Sequence, residues 1–407
     1  MKTLQSAQQK TSTRDEFYEQ LSVLKDRFAA MPPELEVTLR DPAMGVEGYV
    51  VVWNTGISVG GPMERSGKGG TRITPSVSLD EVKMLARTMS LKNAAAGLPL
   101  GGSKAALKAD PSAPDFEQKY RRFAQLCKPF LHENGGVFGG FGFDIGGRPE
   151  HALWICDELK STRCFTGKPK DMGGTDYDRE GIAGLGVAVA AITSQEVKGV
   201  NLNKTSFAVQ GMGAMGAAVL RYFAESGATM TYMADPKYGG TWKFASPIST
   251  ALHNALVHQD VETVLAMLPQ EGTLLSDSAD DVLFQKVDVL FPCAVQNVIT
   301  ESKADRVKAS TIVEGANGPV TEEARTALFA MGVTVIPDFI ANPGGIIAAF
   351  VELTSGSSDK VAESKAMARE RIAANVRDML ETAAQYNVEP THAGHFMALG
   401  RIIQSQE

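Results

Sequence analysis

Two lysines are the residues of this sequence whose surroundings most directly suggest chemistry. Lys92 follows Leu85 and Met89 at the spacing of one helix face, which places its amine on an apolar stripe. Lys104 follows a glycine-rich segment ending in Gly101-Gly102-Ser103, which we interpret as a loop that gives a substrate access to backbone. Because burial and a like charge both lower the pKa of an amine, the pair predicts anion binding with general-base catalysis. A lysine that extends from a helix end to solvent is the alternative interpretation.

A second group of residues is the G-x-G-x-x-G motif formed by Gly211, Gly213 and Gly216. An apolar segment precedes the motif and a helical segment follows it, as in a dinucleotide-binding strand-turn-helix. Ala214 and Met215 lie at the start of the predicted helix, where free N–H groups favour a pyrophosphate. The motif predicts a dinucleotide site, and a glycine-rich turn that binds nothing is the alternative.

The choice between NAD and NADP is predicted from Asp235. It follows Gly216 at the end of the next predicted strand, where an acid accepts hydrogen bonds from the adenosine ribose hydroxyls. Its charge would repel a 2′-phosphate, which favours NAD. Lys237 would instead attract that phosphate, so NADP stays an alternative.

The elements that must position these residues follow from apolar periodicity. A helix is predicted from Ser78 to Ala96, beginning with a capping box in which Ser78 and Glu81 bond each other's backbone N–H groups. A long amphipathic helix is predicted over 358–385. The predicted strands are Leu35–Arg40, Tyr49–Trp53, Ser206–Gln210, Met230–Ala234, Asp288–Phe291, Thr311–Glu314 and Val333–Pro337.

The alternation of strands and helices after about Gly184 predicts a largely parallel sheet. A chain of 407 residues is long enough for two domains. We therefore expect an α/β fold with a Rossmann-type dinucleotide-binding domain at 184–350. Residues 1–183 would form an α/β substrate-binding and oligomerisation domain, and 351–407 would fold back onto it to complete it.

Composition excludes several classes of partner. A net charge of −7 argues against a nucleic acid or an anionic membrane surface. The polar N-terminus lacks the apolar core of a signal peptide, and four cysteines without paired spacing fit a reducing cytoplasm. His392 and His395 have helical spacing but no evident acidic or thiol partner, so no metal site is expected.

One long segment carries a resemblance to a known family. The stretch from Lys68 to Pro111 resembles the active-site segment of the glutamate, leucine, phenylalanine and valine dehydrogenases. Further similar pieces follow in the family's order: Asp144-Ile145-Gly146, TGKPKDMGGT at 166–175, PCAVQN at 292–297, EGANGP at 314–319 and NPGG at 342–345. The resemblance extends from about residue 35 to the last helix, and it is closest to glutamate dehydrogenase.

The resemblance implies roles for individual residues. Lys92 would bind the α-carboxylate of an amino acid, Lys104 would activate water, and Asp144 would carry protons to and from the amino group. Asn342 and the backbone of Gly69-Gly70 would orient the substrate. Gln296 and Asn317 would lie near the nicotinamide.

The resemblance gives two different indications about the side chain of the substrate. In this family Lys68 would recognise the side-chain carboxylate of glutamate. Ala349, however, stands where glutamate users typically carry a serine that holds the same carboxylate. Lys68 therefore favours glutamate, whereas Ala349 permits an apolar amino acid.

The resemblance implies NAD(P)-dependent oxidative deamination of an L-amino acid, first of all glutamate, to its 2-oxo acid and ammonia, and the reverse reductive amination. A dehydrogenase of another polar or apolar amino acid is the first alternative. A non-catalytic NAD-binding paralogue is the second, although the retained Lys92, Lys104 and Asp144 oppose it. A homo-oligomer, as a hexamer, is implied by the same resemblance.

Overall fold

The computed structural model describes residues 13–406 and divides them between two main sheets. Up to residue 181 the helices are α1 Arg14–Ala30, α2 Leu79–Ala95, α3 Phe116–Cys127 and α4 Pro149–Leu159. The strands of this part are β1 Leu35–Asp41, β2 Val46–Trp53, β3 Gly67–Lys68, β4 Thr71–Ile73, β5 Gly101–Leu107, β6 Phe141–Gly142 and β7 Phe165–Thr166.

The chain from residue 182 onward forms the second sheet and the remaining α-helices. They are α5 Ile182–Val197, α6 Ala214–Ala224, α7 Thr250–Val257, α8 Val261–Glu271, α9 Glu301–Ala304, α10 Glu322–Ala330, α11 Asp338–Ala341, α12 Gly344–Thr354, α13 Lys360–Tyr386 and α14 Pro390–Gln404. The strands are β8 Ser206–Gln210, β9 Thr229–Asp235, β10 Gly240–Phe244, β11 Gly272–Ser276, β12 Val289–Pro292, β13 Thr311–Val313 and β14 Thr334–Ile336.

Strand β5 is the central strand of the first sheet, and every residue of it is buried. It pairs antiparallel with β2, with Lys104 opposite Val51, and parallel with β3 and β4 on its other side. The expectation of a glycine-rich loop before Lys104 is therefore wrong. A Cβ at Gly102 would lie 2.2 Å from the Ala86 carbonyl oxygen, so glycine is needed because α2 crosses this strand closely.

The second sheet has the strand order β11-β10-β9-β8-β12-β13-β14. The five strands from β9 to β14 in this order are parallel, as expected, whereas β10 and β11 are antiparallel additions at one edge. These two strands were not predicted from the sequence. Residues Thr273–Leu275 of β11 are all exposed, so no alternation of buried and exposed positions marks this strand.

The chain order reverses direction across this sheet between β8 and β12. From β8 the chain proceeds outward through β9 and β10, and it then returns to β12 on the opposite side of β8. Such a switch point is where open α/β sheets of the Rossmann type bind dinucleotides, beyond the carboxyl ends of the strands. The G-x-G-x-x-G motif follows β8 directly.

The last helices connect the two parts of the molecule. Helix α13 packs along α5 and α12, whereas α14 packs against α1 and α2 beside the first sheet. The proposed limits at 183/184 and 350/351 fall inside α5 and α12, which run through them without a break. The division into two domains at those residues stays a prediction. Within residues 13–406, no helix is both long enough and apolar enough to span a bilayer.

Candidate active site

A cleft of about 730 Å³ lies between the two sheets and gathers most of the residues singled out in the sequence. These are Lys68, Gly69, Gly70, Lys92, Lys104, Asp144, Met215, Gln296, Asn317, Asn342 and Ala349. The other predicted cofactor residues do not line this cleft and lie at the ends of β8 and β9 and the start of α6: Gly211, Gly213, Ala214, Gly216 and Asp235.

Lys104 and Asp144 form a direct ion pair in the cleft. Lys104 projects from β5 and is 6% exposed, and Asp144 follows β6. Burial lowers the pKa of the Lys104 amine, and the Asp144 carboxylate offsets only part of that effect. Burial acts to raise the pKa of Asp144, but Lys104 and Arg72 together hold it below its ordinary value. The pair therefore combines an easily deprotonated amine with an ionised carboxylate.

Arg72 is a part of this site that the sequence analysis missed. Its Nη2 donates to Asp144 Oδ1 at 3.4 Å, and its Nη1 donates to Glu81 Oε1 at 2.7 Å. The expected capping box is thus only half formed, because Ser78 Oγ accepts from the Glu81 N–H while the Glu81 carboxylate turns to Arg72. The signal was present in the sequence, since Arg72 lies within the segment that carries the family resemblance.

Replacing Arg72 with glutamine should move the acid limb of the kcat/KM profile to higher pH. The guanidinium lowers the pKa of Asp144 and also that of Lys104, so its loss raises both. Less of the ionised carboxylate and less of the neutral amine would then be present at a given pH. Initial rates across a pH series measure this shift. Arg72→Lys, which keeps the charge, should retain the wild-type limb, and an unchanged limb in a folded Arg72→Gln would refute this positioning role.

Lys92 spans the cleft from the first sheet to the second. Its Nζ donates to Asn317 Oδ1 at 3.2 Å, and Asn342 Nδ2 donates to the same oxygen at 3.1 Å. The expectation that Lys92 belongs to the buried stripe of its helix is corrected. The buried face of α2 is Val82-Ala86-Ser90-Asn93-Ala94, whereas Lys92 and Met89 are half-buried and line the cleft. Burial lowers the pKa of Lys92, against a raising contribution from Asp338.

Lys68 lies at the base of the cleft and is 1% exposed. Its ammonium donates to the carbonyl oxygens of Gly69 at 2.8 Å, Gly140 at 3.0 Å and Phe141 at 2.8 Å. These three bonds use all the protons that a lysine ammonium carries. Burial lowers the pKa of Lys68 to about 7, with Glu352 acting in the opposite direction.

A buried ion pair, Lys168 with Glu352, stands behind this end of the cleft. Glu352 also accepts hydrogen bonds from the N–H groups of Gly167 and Thr175, each at 3.0 Å, and from the Thr175 hydroxyl at 2.9 Å. The pair thereby ties α12 to the loop after β7. Sequence reasoning did not single out either charge, because the partners are 184 residues apart.

The dinucleotide motif fits a bound cofactor. Gly211 has φ 85°, and a Cβ at Gly216 would lie 1.9 Å from the Gly211 carbonyl oxygen, so both glycines are required by the turn and the helix. A Cβ at Gly213 would meet nothing within 4 Å, which leaves open space over the first turn of α6. No side chain of the described residues caps that helix, so its N–H groups are available to a phosphate.

Asp235 lies at the end of β9, beside this turn. Its Oδ2 accepts from the Met212 N–H at 2.8 Å and its Oδ1 from the Lys237 N–H at 3.0 Å. Lys237 Nζ donates to the Met212 carbonyl oxygen at 2.7 Å. Between residues 13 and 406, no three or more histidine, cysteine, aspartate or glutamate side chains are grouped to hold a metal ion.

A Rossmann-type sheet with a free helix N-terminus, joined to a cleft that contains a buried lysine–aspartate pair, defines a nicotinamide-dependent dehydrogenase. Residues 33–161 match the Glu/Leu/Phe/Val dehydrogenase dimerisation domain, and residues 173–407 match the glutamate/leucine/phenylalanine/valine dehydrogenase domain. The chain belongs to this family and is an NAD(P)-dependent amino-acid dehydrogenase.

Several relatives are similar over most of their length. The NADP(+)-dependent glutamate dehydrogenase of Pyrobaculum calidifontis is 33% identical over 75% of this chain and 72% of its own. The glutamate dehydrogenase of Thermotoga maritima is 29% identical over 91% of this chain and 89% of its own. The leucine-bound, hetero-hexameric glutamate dehydrogenase of Thermus thermophilus superposes with a TM-score of 0.72 at 26% identity, covering 96% of this chain and 95% of its own.

A fold likeness also extends to an enzyme named for another substrate. The L-tryptophan dehydrogenase of Nostoc punctiforme superposes with a TM-score of 0.69 at 20% identity, over 94% of this chain and all of that one. At that identity the likeness concerns the fold. Members that share this architecture are thus named for both acidic and aromatic amino acids.

Proposed function

We propose that Lys92, Lys104 and Asp144 carry out the reaction of this amino-acid dehydrogenase. The observation that carries the proposal is the Lys104–Asp144 ion pair, which lines the same cleft between the two sheets as Lys92. Lys92 binds the α-carboxylate of the substrate. Its present partner, the Asn317 amide oxygen, is a neutral acceptor that a carboxylate would replace with a stronger, charge-assisted bond.

The chemistry that a bound nicotinamide would supply is an acceptor for the hydride that leaves the substrate Cα. Asp144 takes a proton from the substrate ammonium, because its depressed pKa keeps it ionised. Lys104, with its lowered pKa, deprotonates the water that attacks the resulting iminium carbon and then stabilises the oxygen as an ammonium. Asp144 returns its proton to the amino nitrogen of this carbinolamine. As the C–N bond breaks, the hydroxyl proton passes to the Asp144 carboxylate, and ammonia and the 2-oxo acid are released. Closure of the cleft excludes bulk water from these steps.

Asn342 and the Gly69-Gly70 backbone are proposed to orient the substrate. Asn342 Nδ2 is bound to Asn317 Oδ1 and to the Gly315 carbonyl oxygen, so the amide is held in place at the cleft wall. Close packing also explains why both positions are occupied by glycine. A Cβ at Gly69 would lie 1.7 Å from the Ser103 carbonyl oxygen, and one at Gly70 would lie 2.5 Å from that of Phe143.

The identity of the substrate side chain has two candidates. Glutamate is supported by the presence of Lys68 and by the names of the curated relatives. It is also supported by Gly142, since a Cβ there would lie 3.2 Å from Lys68 Nζ and its absence leaves room beside the ammonium. An uncharged amino acid is supported by Ala349 and by the three carbonyl partners of Lys68.

NAD is the proposed physiological cofactor. The Asp235 carboxylate lies beside the glycine turn, where it would accept hydrogen bonds from the adenosine ribose, and Lys237 is engaged with the Met212 carbonyl oxygen rather than free for a 2′-phosphate. Gln296 and Asn317 line the cleft on the side of the second sheet and would contact the nicotinamide end.

The proposal is tested by the initial rates of cofactor reduction for wild type and Asp235→Ser, with a panel of L-amino acids and with NAD or NADP. Wild type should oxidise at least one amino acid and prefer NAD. Asp235→Ser should lower the NAD-to-NADP ratio of kcat/KM by about tenfold or more, because a hydrogen bond to a charged group contributes about 1.5–3 kcal/mol. Asp277→Ser is a matched control, since that residue is on the surface after β11.

No turnover with any amino acid would contradict the assigned chemistry. A strong preference of wild type for NADP would contradict only the cofactor assignment. Lys237 would then be the residue to replace, because its Nζ lies 3.9 Å from Asp235 Oδ2.

We further propose that the chain forms a homo-oligomer, as a hexamer, in the cytoplasm. Support for assembly comes from the dimerisation domain matched at 33–161 and from the hexameric Thermus thermophilus relative. Support for a reducing compartment comes from the cysteines, all four of which are buried thiols. We also propose that the chain divides into two domains at 183/184 and 350/351.

A further inference from the structure

The Asn317 loop, residues 314–318 directly after β13, forms part of the cleft wall beside Lys92. The Asn317 amide oxygen accepts hydrogen bonds from Lys92 and from Asn342, which both lie outside the loop. Because neither partner belongs to the loop, the position of the amide depends on what holds the loop backbone. A shift of that backbone would change the surroundings of the ammonium that is proposed to bind the substrate.

Asp338, at the start of α11, holds the backbone of this loop. Its Oδ2 accepts from the N–H of Gly318, the residue directly after Asn317, at 2.9 Å. Its backbone carbonyl oxygen accepts from the Asn342 N–H at 2.8 Å, just beyond the other end of α11. One residue thus holds the backbone beside both asparagines whose side chains meet next to Lys92.

A buried ion pair holds Asp338 in turn. Glu314 is fully buried, and its carboxylate accepts three hydrogen bonds from the Arg325 guanidinium, at 2.8, 2.9 and 3.1 Å. Glu314 Oε2 also accepts from the Asp338 N–H at 2.9 Å. Burial raises the pKa of Glu314 to about 7, against the lowering effect of Arg325, so the pair is ionised at alkaline pH. Movement of Asp338 would leave a buried acceptor without its donor, which is costly.

The charges that act on Lys92 come from three elements. Burial lowers the pKa of the Lys92 amine most, and Asp338 gives the largest opposing contribution. Lys104 of β5 lowers the pKa further, and Asp144 after β6 raises it. Helix α11 packs on α2, the helix that carries Lys92. Asp144 is paired with Lys104 and Arg72, whereas no cation in the described part of the chain forms an ion pair with Asp338. The charge of Asp338 is therefore available to Lys92.

We propose that Asp338 is a positioning residue of the carboxylate-binding site, which holds the Asn317 loop beside Lys92 and supplies the negative charge that balances the ammonium. This inference rests on the proposed binding of the substrate α-carboxylate by Lys92. Without the Asp338 carboxylate, the Gly318 N–H loses its acceptor and Lys92 loses its main opposing charge. More of the Lys92 amine is then neutral at alkaline pH, and a neutral amine binds a carboxylate more weakly than an ammonium does.

The test compares wild type with Asp338→Asn by kcat/KM for a 2-oxo acid across a pH series, at saturating ammonium and reduced cofactor. The 2-oxo acid is the product of the amino acid that wild type oxidises best, and it has no amine to titrate. Asp338→Asn should move the basic limb to lower pH by about one unit, because losing a charge that raises the pKa of Lys92 lowers that pKa.

The effect should fall on binding of the 2-oxo acid rather than on turnover. At a pH above the shifted limb, its KM should rise about tenfold, since one pKa unit changes the protonated fraction of the amine by about that factor. Below the limb, kcat should stay within about threefold of wild type. Asp338→Ser, whose hydroxyl still accepts a backbone N–H, is a second variant without the charge and should show the same shift. Asp338→Glu keeps the charge and should give a smaller shift.

Lys92→Gln shows whether Asp338 acts through Lys92, because this variant has no ammonium to titrate. In that background Asp338→Asn should not move the limb further, whereas two independent effects would add. Asp305→Asn, which alters an exposed acid directly after α9, is the matched control and should change neither the limb nor KM.

A wild-type limb in folded Asp338→Asn or Asp338→Ser would overturn the inference, and so would an equal shift with and without the Lys92 amine. In either case the proposed deamination would stand. If Lys92→Gln by itself left the KM for the 2-oxo acid unchanged, the carboxylate-binding role of Lys92 would be removed, and this inference with it.

Discussion

Alanine in place of Lys104 is expected to lower kcat on the order of 10⁴-fold while the protein still folds and binds cofactor. The Lys104 amine has two proposed roles: it deprotonates water, and it stabilises the negative charge that then develops on the oxygen bound to the substrate carbon. General-base catalysis contributes about 10²- to 10⁴-fold, and one electrostatic contact to a developing oxyanion about 10²- to 10³-fold. Because both effects come from one amine at one place, their loss should fall on kcat rather than on KM.

Steady-state kinetics and a cofactor-binding titration on the same preparation measure this loss. Lys108→Ala is a suitable control, since Lys108 follows the same strand β5 but is exposed. The fold should tolerate Lys104→Ala, because the variant leaves Asp144 with Arg72 as a remaining cationic partner. Turnover within tenfold of wild type would remove Lys104 from the mechanism.

Asp144→Asn should be the second most damaging substitution, with a loss in kcat of about 10²- to 10⁴-fold. The amide preserves the shape of the side chain but can neither accept the proton of the substrate ammonium nor balance the charge of Lys104. Since the carboxylate raises the pKa of Lys104 against the effect of burial, its removal should lower that pKa further. Any residual activity should therefore reach its plateau at a lower pH than in wild type.

Single-turnover measurements would separate this effect from product release. Asp157→Asn on α4 is the control, because that carboxylate pairs with Arg121 and Lys160 at the protein surface. If Asp144→Asn changed only KM, the carboxylate would be a binding group and the proton transfer would have to be assigned elsewhere.

Several properties of this protein can be read from local patterns in its sequence. The parallel strands β8, β9, β12, β13 and β14 are short apolar segments separated by helices, a local pattern that predicts a parallel sheet. The motif at Gly211, Gly213 and Gly216 favours its own turn, since Gly211 has φ 85° and a side chain at Gly216 would lie 1.9 Å from the Gly211 carbonyl oxygen. The family resemblance extends these local patterns to Lys92, Lys104 and Asp144, all of which line one cleft.

Other features depend on partners that are distant in the chain, and only the tertiary structure decides them. The glycines before Lys104 belong to a strand rather than a loop because β2, β3 and β4 pair with it and α2 crosses it. Strands β10 and β11 exist because each finds an antiparallel neighbour at the edge of the sheet. Hydrogen bonds between strands are not encoded in the periodicity of one strand alone.

Lys68 shows most clearly which property of a residue follows from the sequence and which follows from the tertiary structure. Its type and position in the sequence indicate a cation at the base of the substrate pocket, and the structure does place a buried amine there. What that amine can bind depends on carbonyl oxygens 72 and 73 residues away, which occupy its protons. The residue type determines the charge that is available, whereas the packing of distant backbone around it determines whether that charge is free to meet a substrate.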